Sequence, residues 1–278
     1  MGKCIYCGKD AGFLRSSHKE CREKHETGKT EILRLASSAA SGDLDLRSAG
    51  DSIREVASAS YVDSGLLKSL LIRAFEDALN RALDDDILTR EEEESLSAYM
   101  DHFELDQQDL DVNGAYTRLV KAGVLRDILE GRIPERVKVQ GTLPFNLQKS
   151  EKLVWVFQDV PYFEIRTRTA YRGGYKGVSI RVAKGVYYRV GGFRGNPVVT
   201  TQMVLIAGIL GVTNKHVYFT GSAKSFRIRY DRIVSFSPFS DGIAIQRDAA
   251  RAKPQVFKTG DGWFTYNLLV NLANLMAA

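Results

Sequence analysis

Cys4, Cys7 and Cys21 are all the cysteines of the 278-residue chain, and they fall within its first 21 residues. An odd number so closely clustered suits a metal better than disulfides. The segment reads Cys4-Ile5-Tyr6-Cys7, ten residues, then His18-Lys19-Glu20-Cys21, a C-x2-C-x10-H-x2-C spacing with four soft or borderline ligands. A C-x2-C turn followed by Gly8 lets two thiolates hold one ion, and the pair three apart fits one face of a starting helix. Ser16 and Ser17 are the candidate N-caps of that helix. His25, four residues beyond Cys21, competes for the fourth position, because that spacing also fits a helical face. His18 is preferred since it closes a compact loop with Cys21. The expected cofactor is Zn2+ at a structural site, because four protein ligands leave no open position for hydrolysis. Three reduced, metal-free cysteines are the alternative.

The segment resembles small treble-clef or ribbon-type zinc modules that end in H-x2-C. Phe13 and Leu14 are almost its only sizeable apolar side chains, so metal binding would supply the stability its core cannot. Lys19, Arg22, Lys24 and Lys29 are positioned to touch nucleic acid, although a solvated basic helix is the simpler reading.

A second group with binding chemistry is Arg166, Arg168, Arg172 and Lys176, which alternate along an expected strand and enter the loop Tyr171-Arg-Gly-Gly-Tyr-Lys-Gly177. Alternation puts Arg166 and Arg168 on one face, and Arg227 and Arg229 form another alternating pair. These cations are expected to meet an anionic phospholipid surface or an acidic protein. Solvated outer-face residues are the competing reading.

Charge divides the chain more sharply than its net value of +5 suggests. Residues 1–30 carry +3, residues 31–135 carry −12 and residues 136–278 carry +14. The last segment should meet something acidic: phosphate, a partner protein, or the middle of its own chain.

The elements that must position these groups follow from periodicity. Leu67, Leu70, Leu71, Ala74, Phe75, Ala78 and Leu79 form a helical stripe, followed by stripes through Leu96 to Phe103 and Tyr116 to Ile128. Gly131 and Pro134 supply a stop. The acidic run from Asp84 to Glu94 fails as a calcium loop, with Thr89 at the sixth position and Ser95 at the twelfth, whereas Thr89 and Glu92 match a capping box. This helix, Ile-Leu-Thr-Arg-Glu-Glu-Glu, helix and Phe-Glu-Leu-Asp pattern resembles the TerB-like modules of membrane-linked stress systems over about residues 50 to 130. No metal ligand of those modules can be placed here.

After Pro134 the pattern changes to short β-rich runs: 153–157, 162–169, 178–182, 186–190, 205–213, 216–220, 225–230, 233–236, 242–246 and 255–258. A final helix, capped by Asp261, lines up Phe264, Leu268, Leu272 and Leu275. The runs Gly208 to Phe219, Phe226 to Val234 and Asp241 to Ile245 resemble GRAM and bacterial pleckstrin-homology-like domains. That resemblance implies a bent β-barrel plugged by the helix, and binding of anionic lipids or peptides rather than chemistry.

The expected architecture is therefore multidomain α+β: a zinc finger at 1–29, an acidic helical region at 30–135 and a PH-like β-barrel at 136–278. No P-loop, Gly-x-Ser-x-Gly elbow or His-Glu-x-x-His occurs, so a non-enzymatic adaptor or sensor is expected. A regulator in which finger and barrel share a nucleic-acid surface is the alternative, since aromatic and basic residues interleave from Tyr171 to Phe193. The opening residues lack the apolar core of a secretory signal, so a cytoplasmic protein, peripheral at a membrane, is expected.

Overall fold

The computed structural model describes residues 2–12, 15–84, 87–139, 141–170, 178–183, 186–190, 198–249 and 252–277; for strand residues 165–170, 178–183, 186–190 and 198–204 it describes the backbone. The chain divides into two compact units, Met1–Glu130 and Gly131–Ala278.

The first unit is helical: α1 (Lys19–Ala40), α2 (Leu46–Ala59), α3 (Ser64–Ala82), α4 (Arg90–His102), α5 (Gln107–Leu110) and α6 (Ala115–Leu129). Short polar side chains start most of these helices. Asp45 and Asp63 accept the backbone N–H groups of Ser48 and Leu66, and Thr89 with Glu92 forms the expected capping box. Helix α3 buries Leu70, Leu71, Ala74, Phe75, Ala78 and Leu79, the stripe read from periodicity. Ile32 of α1, Ile53 of α2 and Tyr99 of α4 complete the core, with the Tyr99 hydroxyl satisfied by the carbonyl of Leu71 at 3.1 Å.

Helix α1 begins at Lys19, directly after the first candidate ligand of its pair, and continues without a break to Ala40. Its N-cap is His18, not Ser16 or Ser17, and the His18 side chain makes no cap hydrogen bond. The ring is committed elsewhere, as described below.

The second unit is built on one antiparallel sheet. Its strands are β1 (Leu153–Ala170), β4 (Val198–Thr213), β5 (His216–Gly221), β6 (Ser225–Arg229), β7 (Ile233–Phe239), β8 (Gly242–Arg247) and β9 (Gln255–Lys258), in the order β6-β5-β4-β1-β9-β8-β7. Strands β2 (Val178–Ala183) and β3 (Val186–Val190) form a separate hairpin. Helix α7 (Gly262–Ala277) follows, with Asp261 accepting the N–H of Phe264 at 3.0 Å as expected of a cap.

This order is a meander wrapped round so that β9 pairs with β1, open between β6 and β7. The expected closed barrel is therefore corrected to a sheet with an open seam. The chain between these two edge strands makes a 3-10 turn at Tyr230–Arg232, where the buried Tyr230 hydroxyl donates to the Thr213 carbonyl at 2.8 Å. Helix α7 packs on β7, β8 and this turn, burying Phe264, Leu268, Leu269 and Leu272. Trp155 of β1 meets Phe264 edge-on at 4.9 Å.

Two expected runs, 153–157 and 162–169, are one strand. The residues between them form a bulge, with register shifting between Phe157 and Val160 and Asp159 at φ 49°. Strand β4 likewise starts at Val198, seven residues earlier than expected. Strands β1 and β4 pair from Leu153↔Thr213 to Ala170↔Val198, but β9 joins β1 only at Tyr162 and Phe163, and β5 joins β4 only from Gly208 to Val212. Among the described residues, the pairs beyond Phe163↔Leu205 therefore form a two-stranded ribbon with no third strand beside it.

The unit also encloses a carboxylate. Glu151 accepts from the Thr213 hydroxyl (2.5 Å), His216 Nδ1 (2.9 Å), the Tyr218 hydroxyl (2.8 Å) and the Gln148 backbone N–H (2.8 Å). Burial opposes its ionisation, yet these donors together hold its carboxyl below the usual range. A lowered folded-state pKa stabilises the fold above the ordinary carboxylate range, and that contribution disappears as pH falls through the folded value. Both tryptophans, Trp155 and Trp263, lie in this unit, so tryptophan fluorescence reports its unfolding. Glu151→Gln is expected to cost about 1–3 kcal/mol at neutral pH and to flatten the acid dependence below about pH 4. Parallel stability curves for variant and parent across that range would contradict this role.

Candidate metal centre

The metal module begins with a tight hairpin. Lys3 bridges Asp10, the Cys4 N–H donates to the Lys9 carbonyl at 2.7 Å, and the Gly8 N–H returns to the Cys4 carbonyl at 2.9 Å. Gly8 adopts φ 72°, a left-handed conformation that glycine reaches without strain and that lets the chain reverse immediately after Cys7. The Ile5 N–H donates to the Ser16 carbonyl at 2.9 Å, bringing the hairpin against the residues that enter α1.

These contacts gather Cys4, Cys7, His18 and Cys21, whose ligand atoms all lie within 4.8 Å of one another. His18 Nδ1 is 3.4 Å from Cys7 Sγ and 3.6 Å from Cys21 Sγ. A tetrahedral ion with Zn–S near 2.3 Å and Zn–N near 2.0 Å requires sulfur–nitrogen edges of about 3.5 Å. The two edges from His18 fit such a polyhedron, and the cluster is compatible with a zinc site.

The surroundings agree with that use. His18 Nε2 lies 2.9 Å from the Asp10 carbonyl and must donate its proton there, leaving the Nδ1 lone pair to face the thiols. The His18 N–H also points at Cys4 Sγ, 3.4 Å away. Burial works against a charge on Cys4, but the backbone N–H groups of Cys7, His18 and Tyr6 outweigh it and lower the thiol to about 6. Cys21 is raised, first by burial and then by the neighbouring Cys7 and Cys4 sulfurs. Three thiols this close resist joint ionisation, and a divalent cation relieves that conflict.

His25, the competing ligand, is excluded from the cluster. Its Nδ1 pairs with the Ser60 carbonyl at 2.9 Å in a buried contact, and its ring packs on Tyr6 at 4.7 Å. Gly28, one turn further along α1, lets the Ser60 side chain approach so closely that an added Cβ would lie 2.1 Å from its hydroxyl oxygen. His25 thus fastens α1 to the end of α2 instead of binding metal. Tyr61, beside it at φ 59°, stacks at 6.2 Å on Tyr6.

The basic residues fare differently. Arg166 and Arg168 lie on the two-stranded part of β1, opposite Gln202 and Thr200 of β4, while Arg172 and Lys176 fall outside the described residues. Arg227 and Arg229 are exposed on β6, across from Tyr218 and His216. Sequence reasoning missed the Glu151 network and the Asp10 carbonyl. The first is assembled from separate segments, and the second acts through backbone that any residue type carries.

Comparison with known protein families finds no family model that matches the chain, and no curated protein matches it.

Among its described residues the module's buried apolar positions are Cys4 and Ala11, whereas a structural zinc contributes on the order of 10 kcal/mol. Purified chain should contain one zinc, and His18→Ala should lose it. His25→Ala should keep the zinc and lose about 1–3 kcal/mol of helical stability. Elemental analysis with thermal circular dichroism checks both, and retention of zinc by His18→Ala would remove His18 from the ligand set.

Proposed function

We propose that the chain is a non-enzymatic adaptor in which a structural zinc centre braces the helical unit and the β unit docks on an anionic phospholipid surface. A closed Cys3His set leaves zinc no position for substrate, so its contribution is to hold the hairpin on α1. The pleckstrin-homology-like reading of the β unit is supported by its strand order, a wrapped meander with a terminal helix packed beside the open seam. The TerB-like reading of the middle rests on the sequence pattern around the Thr89 capping box.

The observation that carries the docking proposal is the β1/β4 ribbon. Residues 164–204, which include it, contain eight Lys and Arg against one carboxylate, Glu164, which pairs with Lys224 of the neighbouring turn. The β1/β4 ribbon pairs seven positions past the last residue that β9 pairs with. Positive charge in such excess over carboxylates is what a phosphate-covered surface attracts. No helix among the described residues is long and apolar enough to cross a membrane, and the proposed association is peripheral. The acidic middle segment is proposed to compete for the same cations.

Each Lys or Arg near an anionic bilayer contributes on the order of 1 kcal/mol. Replacing Arg166, Arg168, Arg172 and Lys176 together with Gln should therefore reduce binding of the full chain to phosphatidylserine-containing vesicles by roughly a thousandfold, against roughly fivefold for any one. Binding should also weaken with added salt, because screening becomes effective beyond about 10 Å at 0.1 M. Undiminished vesicle binding by the fourfold variant would end this reading. A chain that ignores vesicles and shifts single-stranded RNA would put the nucleic-acid alternative first.

A further inference from the structure

A second group of cations lies away from the ribbon, at the other end of β4. A cleft of about 510 Å³ opens beside the β4–β5 turn, between β6 and the last turn of α7. One wall presents Lys215, Arg227 and Arg229, and the other presents Ala273 and Met276. Among the described lining residues, Asp231 alone is acidic. Three positive groups against one negative leave an excess of two at the rim.

The cationic wall is built before any ligand arrives. Arg227 lies opposite Tyr218 of β5, whose hydroxyl donates to Glu151 at 2.8 Å. The strand opposite Arg227 is thus fixed through Tyr218 to a buried carboxylate, whose own charge is met by His216, Thr213 and the Gln148 N–H. Arg229 lies two residues along the same face of β6 and pairs with Asp231 at 2.8 Å. Both partners are more than half exposed, so the pair is weak and exchangeable. Lys215 is steadied by the Ser150 hydroxyl at 3.1 Å.

We propose that this cleft binds a phosphomonoester carried on an apolar body, with the phosphate between Lys215, Arg227 and Arg229 and the body against Ala273 and Met276. A phosphate dianion matches the excess of two charges and offers three acceptor oxygens to the planar donor forks of the arginines. A carboxylate leaves one charge unmatched, and inorganic phosphate leaves the apolar wall in water. The site is independent of the ribbon, since the ribbon ends at Val198 of β4 and the cleft opens beyond Thr213.

Calorimetric titration of the full chain with hexyl phosphate, inorganic phosphate and hexanoate tests this. Hexyl phosphate should bind most tightly, with hexanoate and inorganic phosphate each about tenfold or more weaker. The double variant Arg227→Gln/Arg229→Gln should lose about a hundredfold, and Arg166→Gln/Arg168→Gln should bind as the parent does. Asp231→Asn should bind more tightly because it removes the competing carboxylate, a gain that misfolding does not produce. Failure to bind hexyl phosphate, unchanged binding by the Arg227/Arg229 variant, or weaker binding by Asp231→Asn would each overturn the proposal. With binding established, phosphatidylcholine vesicles containing phosphatidic acid identify the source. If they displace hexyl phosphate the natural ligand is a lipid headgroup, and if they do not it is a soluble phosphomonoester.

Discussion

The pairing of β1 with β4 is the interaction on which the β unit depends. Its lower half carries the core, because Tyr162 packs on Phe219 at 4.9 Å and on Phe257 at 5.1 Å, joining strands from both sides of the sheet. Its upper half continues as a ribbon. Backbone hydrogen bonding is indifferent to side-chain type, so the ladder runs on past the last residue that β9 pairs with and includes the positions of Arg166 and Arg168. The same pair of strands thus provides both the scaffold and its cationic extension.

In the helical unit the equivalent constraint is electrostatic. Cys4, Cys7 and Cys21 converge with His18 at distances where three thiolates repel, so the hairpin is compatible with its position on α1 when a cation is shared among them. Helix α1 then extends that local fact through the unit. It begins at the ligands, carries His25 and Gly28 against Ser60, and buries Ile32, Leu35 and Ala36 in the helical core. Metal centre and helical packing are consecutive stretches of one uninterrupted helix.

Opening the sheet between β6 and β7 has a comparable breadth of effect. A closed barrel would have hidden the outer edge of β6. Because Tyr230 turns the chain inward to reach Thr213, β6 stays an edge strand and α7 packs beyond it on β7 and β8. The cationic face of β6 and the last turn of α7 are left facing one cleft.

The metal cluster was legible in the sequence because its ligands are close in the chain, and C-x2-C with H-x2-C constrains geometry through local turns alone. Helix stripes, the Thr89 capping box and the Asp261 cap were legible for the same reason, each being set within one or two turns of backbone. Most strands were legible from β-branched and aromatic runs, but the bulge at Asp159 read as a break, since a polar residue before Pro161 carries the same local signal in a bulge as in a turn. Excluding His25 needed the Ser60 carbonyl, 35 residues away, because the i+4 spacing to Cys21 suits a ligand equally well. The Glu151 network, the open seam and the cleft join residues 62 to 67 positions apart or bring a helix terminus beside a strand edge. Periodicity records which face of an element is buried, and only the tertiary structure decides which other element buries it.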